Sequence, residues 1–170
     1  MSAALDISAI AALLEEQFGE AAIVASEYAV RQPWLEISPA YLLAIGQFLR
    51  DDPRLYFDYL ACLSGVDEGP KVGRIGVVYH FMSIPRLHRL VLKCFVSREI
   101  KDGTLPVLPS LAGIWRTADW HEREVYDLLG IRFADHPDLR RILLPEDWEG
   151  HPLRKDYVNP DFYHGIQTEY

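Results

Sequence analysis

The sequence predicts an α+β fold: helices packed on one mostly antiparallel sheet, followed by an extended charged C-terminal arm. Three observations lead there. Apolar residues recur at helical spacing in two early segments. Two later segments alternate apolar and polar residues over lengths suited to a β-hairpin. After Gly103 the chain becomes rich in charge, proline and glycine. The expected organisation is an α+β domain over residues 1–104. A helix and an extended partner-binding arm then fill residues 105–170.

Ile7, Ile10, Leu14 and Phe18 mark a first amphipathic helix over residues 7–18. Asp6 is placed to cap its free N–H groups, and Gly19 stands at the stop position. Residues 21–25 and 34–37 read as short strands, with Pro33 suggesting an edge position because it has no N–H to donate. Ser38-Pro39 opens a second helix, since serine can cap and proline at the first position forfeits no hydrogen bond. Tyr41, Leu42, Ile45, Phe48 and Leu49 form its apolar stripe. Asp52-Pro53 begins a short turn. Residues 59–64 fit either a strand or a helix, because a short apolar run does not decide between them.

Residues 75–82 and 87–96 form the predicted hairpin, with Ser83-Ile84-Pro85 as its loop. Ile75, Val77, Tyr79 and Phe81 share one face of the first strand, and Leu90, Leu92, Cys94 and Val96 one face of the second. A proline-punctuated stretch, 105–110, leads into a helix in two pieces, 111–115 and 120–129, stopped by Gly130.

Composition narrows the function classes. The chain has 170 residues, 49 % hydrophobic and 25 % charged, as an ordinary folded domain with a sizeable core requires. Its net charge of -8 opposes nucleic-acid binding, which needs a basic face, and also a polybasic membrane anchor. Cys62 and Cys94 are too few for an iron–sulfur cluster or a four-cysteine zinc site. They read as small hydrophobes in a reducing compartment. The opening MSAALDISAI lacks the basic and apolar regions of a secretion signal. No window approaches the roughly 20 apolar residues of a spanning helix, so membrane association is expected to run through a partner.

The sharpest enzymatic lure is His121-Glu122-Arg123-Glu124-Val125. A zinc protease needs H-E-x-x-H, two histidines one helical turn apart, and Val125 occupies the second place. The plainer reading is a charged helix face, with Arg123 and Asp127 spaced for an i,i+4 pair. His136, His151 and His164, with Asp135, Asp138 and Asp147, show no ligand spacing. His80 and His88 read as exposed strand residues or satisfied polar groups. Gly69, Gly73 and Gly76 have the wrong spacing for a dinucleotide turn. No serine or cysteine sits in a nucleophile elbow, and Asp58 and Asp67 are single carboxylates without an evident partner.

Charge concentrates near the C-terminus, where residues 119–156 carry ten acidic and six basic side chains. Trp120, Tyr126, Phe133, Trp148 and Tyr157 are interleaved in and around this stretch. Aromatic anchors among mixed charges are the make-up of a protein-binding surface.

The run Trp120-His121-Glu122-Arg123-Glu124-Val125-Tyr126-Asp127-Leu128-Leu129-Gly130-Ile131 resembles the ERE-x-YD-x-x-GI signature of the C subunit of bacterial NADH:quinone oxidoreductase, the thirty-kilodalton subunit family of respiratory complex I. His136-Pro137-Asp138-Leu139-Arg140-Arg141-Ile142-Leu143-Leu144, then Pro145-Glu146-Asp147-Trp148-Glu149-Gly150 and Pro152-Leu153-Arg154-Lys155-Asp156-Tyr157, continue the same pattern. The resemblance implies a non-catalytic scaffold in the peripheral arm of a proton-translocating enzyme. It would brace the quinone-site D subunit, a separate chain, and neighbouring cluster-bearing subunits. NADH, FMN, iron–sulfur clusters and quinone would be bound by partners, with no cofactor, metal or isolated activity on this chain. The place implied is peripheral, on the cytoplasmic side of the bacterial plasma membrane. Related chains occur in membrane-bound hydrogenases and ferredoxin-dependent complexes.

The expected interface lies in the last third. Arg140, Arg141, Arg154 and Lys155 are the candidate cross-subunit charges, and Glu122, Arg123, Glu124 and Asp127 tie the helix to the arm. His136, Trp148 and Tyr157 complete the set. His136-Pro137 and His151-Pro152 favour extended backbone, and such an arm is expected to be ordered by docking.

Overall fold

The computed structural model describes residues 4–168, so the opening segment weighed as a secretion signal begins outside them. Helix α1 (Ile7–Phe18) forms over the predicted span: Asp6 accepts the Ala9 N–H at 2.8 Å, and Gly19 ends the helix with φ 83°. Strands β1 (Ile23–Glu27) and β2 (Trp34–Ile37) pair antiparallel. Pro33 does not mark an edge. β2 also pairs, in parallel, with β5 (His88–Ser97), so it lies inside the sheet and β1 takes the edge. Pro33 sits just before the strand, where the ladder asks nothing of its missing N–H.

Ser38 does not cap a helix with its side chain. It precedes a 3-10 turn, Pro39–Tyr41, and its carbonyl accepts the Tyr41 N–H at 3.0 Å before α2 (Leu42–Asp51) begins. The undecided stretch is a strand, β3 (Tyr59–Gly69), because β4 (Arg74–Ser83) offers a ladder along its length. β4 and β5 form the predicted hairpin, in register from Arg74 opposite Ser97 to Ser83 opposite His88. The sheet order is β1-β2-β5-β4-β3, mixed but mostly antiparallel.

β6 (Val107–Pro109), α3 (Arg116–Leu129) and β7 (Arg132–Ala134) make a small parallel crossover unit. Residues 111–115 are a turn, not a first helical piece. Trp115 has extended backbone, and its indole N–H reaches the Phe57 carbonyl at 2.9 Å, so the helix starts one residue later. A short hairpin, β8 (Phe162–Tyr163) and β9 (Ile166–Gln167), closes the described chain.

All three helices serve one core. Tyr79 stacks on Phe81 at 5.7 Å, and Phe81 meets Trp115 at 4.7 Å. Leu108, Leu111, Val125, Leu129 and Phe133 join Ile10, Leu42 and Leu92 in a single cluster, so packing runs without a break across residue 104. α3 lies close on β3 at Gly65, where an added Cβ would stand 2.2 Å from Leu129 and 3.1 Å from Val125. Cys94 is buried and Cys62 half-buried, both as free thiols. Burial pushes the Cys94 thiol up to about 12.

Candidate functional site

The signature helix α3 is polar in sequence yet buries three of its charged side chains: Glu122, Arg123 and Asp127. The reading of a solvated charged face is therefore wrong for them. Glu122 is 0 % exposed and accepts two hydrogen bonds, from the Ser110 hydroxyl at 2.6 Å and the Leu111 N–H at 2.7 Å. Burial pushes its carboxyl up to about 7 against those two donors, and the nearby Asp119 charge adds to the rise.

Arg123 does not pair with Asp127. Its guanidinium lies 4.7 Å over the Trp120 ring, with Nη1 3.8 Å from Asp138. Asp127 instead faces the arm. Its Oδ2 accepts the N–H groups of Ile142, Leu143 and Leu144 at 2.8–3.0 Å, and Arg141 donates to Oδ1 at 3.0 Å. Burial works to raise the Asp127 carboxyl, but these donors outweigh it and hold the group below the usual range. Glu124, next to them, points to solvent.

His121 accepts the Leu63 N–H on its Nδ1 at 3.1 Å, while Glu122 faces Ser110, so the two do not converge on a metal position. The His136 imidazole is fully buried. Its Nε2 stands 3.1 Å from the Asp119 carbonyl, and its Nδ1 accepts the Asp138 N–H at 3.0 Å. Among the described residues no three His, Cys, Asp or Glu side chains gather as a metal site.

The arm is strapped to its own domain. Gly130 ends α3 in the left-handed conformation at φ 68°, as predicted, with the His151 ring where a Cβ would project. His151 Nδ1 lies 2.9 Å from the Asp127 carbonyl. Arg154 donates to the carbonyls of Leu129 at 2.8 Å, Arg98 at 3.2 Å and Gly130 at 3.4 Å, so it satisfies the helix end. The Lys155 N–H reaches Asp67 at 2.9 Å. Asp67 is not without a partner: Arg98 grips both its oxygens at 3.0 Å and also bonds Asp156. Asp58 in turn accepts the Ile84 N–H at 2.9 Å. His88 is buried and satisfied by the Leu5 N–H and the Arg54 carbonyl.

Of the predicted interface charges, Arg141 and Arg154 close on partners within this chain. Among the described residues the Arg140 side chain meets only Asp138 and stays largely exposed, as does Lys155. Trp148 and Tyr157 bond each other at 2.9 Å. What the arm leaves open is apolar: Leu143, Leu153, Val158 and Phe162 are 58–83 % exposed, and Trp120 on α3 is 62 % exposed. The sequence reading missed these, and it missed the Asp67–Arg98–Asp156 group. Isolated apolar residues carry no spacing signal, and Arg98 is 31 and 58 positions from its two acids.

Fold and site together define a small α+β domain whose C-terminal segment is bonded back onto it through Asp127, Arg98 and Asp67, with several apolar side chains of that segment exposed. The chain belongs to the family described as respiratory-chain NADH dehydrogenase, 30 Kd subunit, whose family model matches residues 35–163. It is 56 % identical over 128 residues to the C subunit of NADH-quinone oxidoreductase from Chloroherpeton thalassium, covering 75 % of this chain and 50 % of that relative. It is 46 % identical over 160 residues to the C subunit of the same enzyme from Chlorobium phaeobacteroides, covering 93 % and 92 %. The J subunit of NAD(P)H-quinone oxidoreductase from Parasynechococcus marenigrum is 50 % identical over 119 residues, covering 63 % and 61 %. The chain thus spans half the length of the first of these relatives and nearly all of the second. Its fold is similar to a chain in the structure of the membrane-bound sulfane sulfur reductase, an archaeal respiratory membrane complex. The TM-score is 0.71 over 89 % of this chain and 85 % of that one, at 19 % identity, a likeness of fold alone.

Proposed function

We propose that this chain is a non-catalytic scaffold subunit of the peripheral arm of a proton-translocating NADH:quinone oxidoreductase. It braces the quinone-site D subunit and neighbouring cluster-bearing subunits while electrons pass from NADH to quinone. The family match over residues 35–163 carries this reading. The exposed apolar residues along the arm support it, since covering them with a partner would remove apolar area from water. Flavin, iron–sulfur clusters and quinone are held by partner subunits, and the isolated chain has no activity. Two cysteines, one buried with a raised thiol, suit that division of labour. The chain sits at the membrane's cytoplasmic side through its partners. No helix among the described residues is long and apolar enough to cross a membrane.

The test is a mild-detergent pull-down of the tagged chain from its native membranes, with mass spectrometry and an NADH:quinone assay. Recovery of flavin, cluster-bearing and membrane subunits with inhibitor-sensitive activity supports the reading. Recovery with hydrogenase subunits or a ferredoxin-accepting module moves the scaffold to another complex. Recovery of the chain alone overturns it.

A further inference from the structure

The five-stranded sheet has two faces, and the helices cover only one. Ile75, Val77, Tyr79, Phe81, Leu92 and Cys94 point into the core. The alternate positions point the other way, as their contacts establish. Lys93 Nζ lies 3.6 Å over the Trp34 ring, and Arg74 lies 4.7 Å over the Phe95 ring. Register joins them into rows: Trp34 beside Val91 beside His80, and Glu36 beside Lys93 beside Val78. None of these residues belongs to the core cluster.

A solvated face of a mostly antiparallel sheet is normally polar. This one carries the half-buried Trp34, Val78 and Phe95 around the buried Val91, apolar side chains that a partner could cover further. Its charge is specific as well. Arg74 is neutralised by Glu36 and Glu68, each at 2.7 Å. Among the described residues neither Lys93 nor Arg89 has a carboxylate within salt-bridge distance, although the chain carries a net charge of -8. The face runs into an open groove of about 1280 Å³, lined among others by Tyr28, Arg31, Met82 and Arg89.

We propose that this outer sheet face docks an acidic, apolar segment of another subunit of the complex, with Trp34 and Val78 as its apolar contacts and Lys93 and Arg89 as its charge contacts. The inference rests on the scaffold reading above. The chain's own arm does not fill the role, because it is bonded to α3, Asp67 and Arg98 on the helical side. A second copy of the chain fits poorly, since pairing two such faces sets the free cations of one against those of the other. An acidic segment supplies the missing counter-charges, and a tryptophan beside a cation is a common interface anchor.

The test uses the whole complex. A photoreactive phenylalanine analogue replaces Val78 in the tagged chain, with the same probe at Leu143 on the arm as a control. Cross-linked peptides are sequenced after purification from native membranes. The expected result is a cross-link from position 78 to an aspartate- and glutamate-rich peptide of another subunit, reduced at least about fivefold by Arg89→Glu with Lys93→Glu and preserved by Arg89→Lys with Lys93→Arg. If the Val78 variant does not enter the complex, the probe moves to the exposed Arg89 position, with Lys93→Glu expected to reduce the cross-link and Lys93→Arg to preserve it. An intact complex with no cross-link from the sheet face, or with one to a second copy or a basic segment, overturns this inference and leaves the scaffold reading standing. Recovery of the chain without other subunits overturns both.

Discussion

Arg141 holds Asp127 at 3.0 Å across 14 positions of sequence, on a carboxylate with no exposed side-chain surface. The opposite oxygen of that carboxylate gathers three consecutive backbone N–H groups from residues 142–144. One aspartate on α3 thus fixes the start of the arm. Asp127→Ala should destabilise the chain by roughly 3–5 kcal/mol, because it leaves a guanidinium and three N–H groups without their acceptor. Denaturant titration measures the loss, and hydrogen exchange at residues 142–144 should rise with it. Unchanged exchange there would refute the strap.

Glu122 should make stability fall as pH rises. Its folded carboxyl sits at about 7 against an ordinary value of 4.5. Between those values the folded chain keeps a proton that the unfolded chain has lost. The stabilising effect of that proton is complete below pH 4.5 and disappears as pH climbs through 7, a change on the order of 3 kcal/mol. Glu122→Gln should flatten this part of the profile. Asp127 and Asp67 act with the opposite sign, because their carboxyls are held below the ordinary value of 3.8 and their contribution is lost only in stronger acid. Melting curves from pH 2 to pH 8 separate the two effects, Glu122 acting above pH 4.5 and the two aspartates below pH 3.8.

The two neighbouring arginines should part company. Arg140 is 71 % exposed and, among the described residues, paired only with Asp138, so Arg140→Ala should change stability by less than about 0.5 kcal/mol. Arg141→Ala strips the buried Asp127 of its cation and should cost roughly 3 kcal/mol or more. If the arm meets a partner at Arg140, that variant lowers recovery of the assembled complex while melting like the parent. Normal recovery removes Arg140 from the interface.

Two glycines are expected to resist substitution for different reasons. Gly65→Ala drives a methyl group into Leu129 and should cost roughly 1–3 kcal/mol by overpacking between α3 and β3. At Gly130→Ala the left-handed backbone adds about 1 kcal/mol or more, and the His151 ring must also move. Chemical denaturation of both variants, with Gly113→Ala as a control in open space, checks the ranking.

Much of the fold is legible in sequence because its signals are short-ranged. The Asp6 cap, the Gly19 and Gly130 stops and the alternation along β4 and β5 each depend on residues within a few positions of one another. The signature run by itself also marks the family, since its order is read directly from the chain. The tertiary structure alone decided that residues 59–64 are strand, because only β4 alongside distinguishes a ladder from a helix there. It alone turned Glu122 and Asp127 from surface charges into buried ones, and it joined Asp67 to Lys155 across 88 positions. Burial and ion pairing depend on what lies opposite in space, and local periodicity does not encode which distant segment that will be.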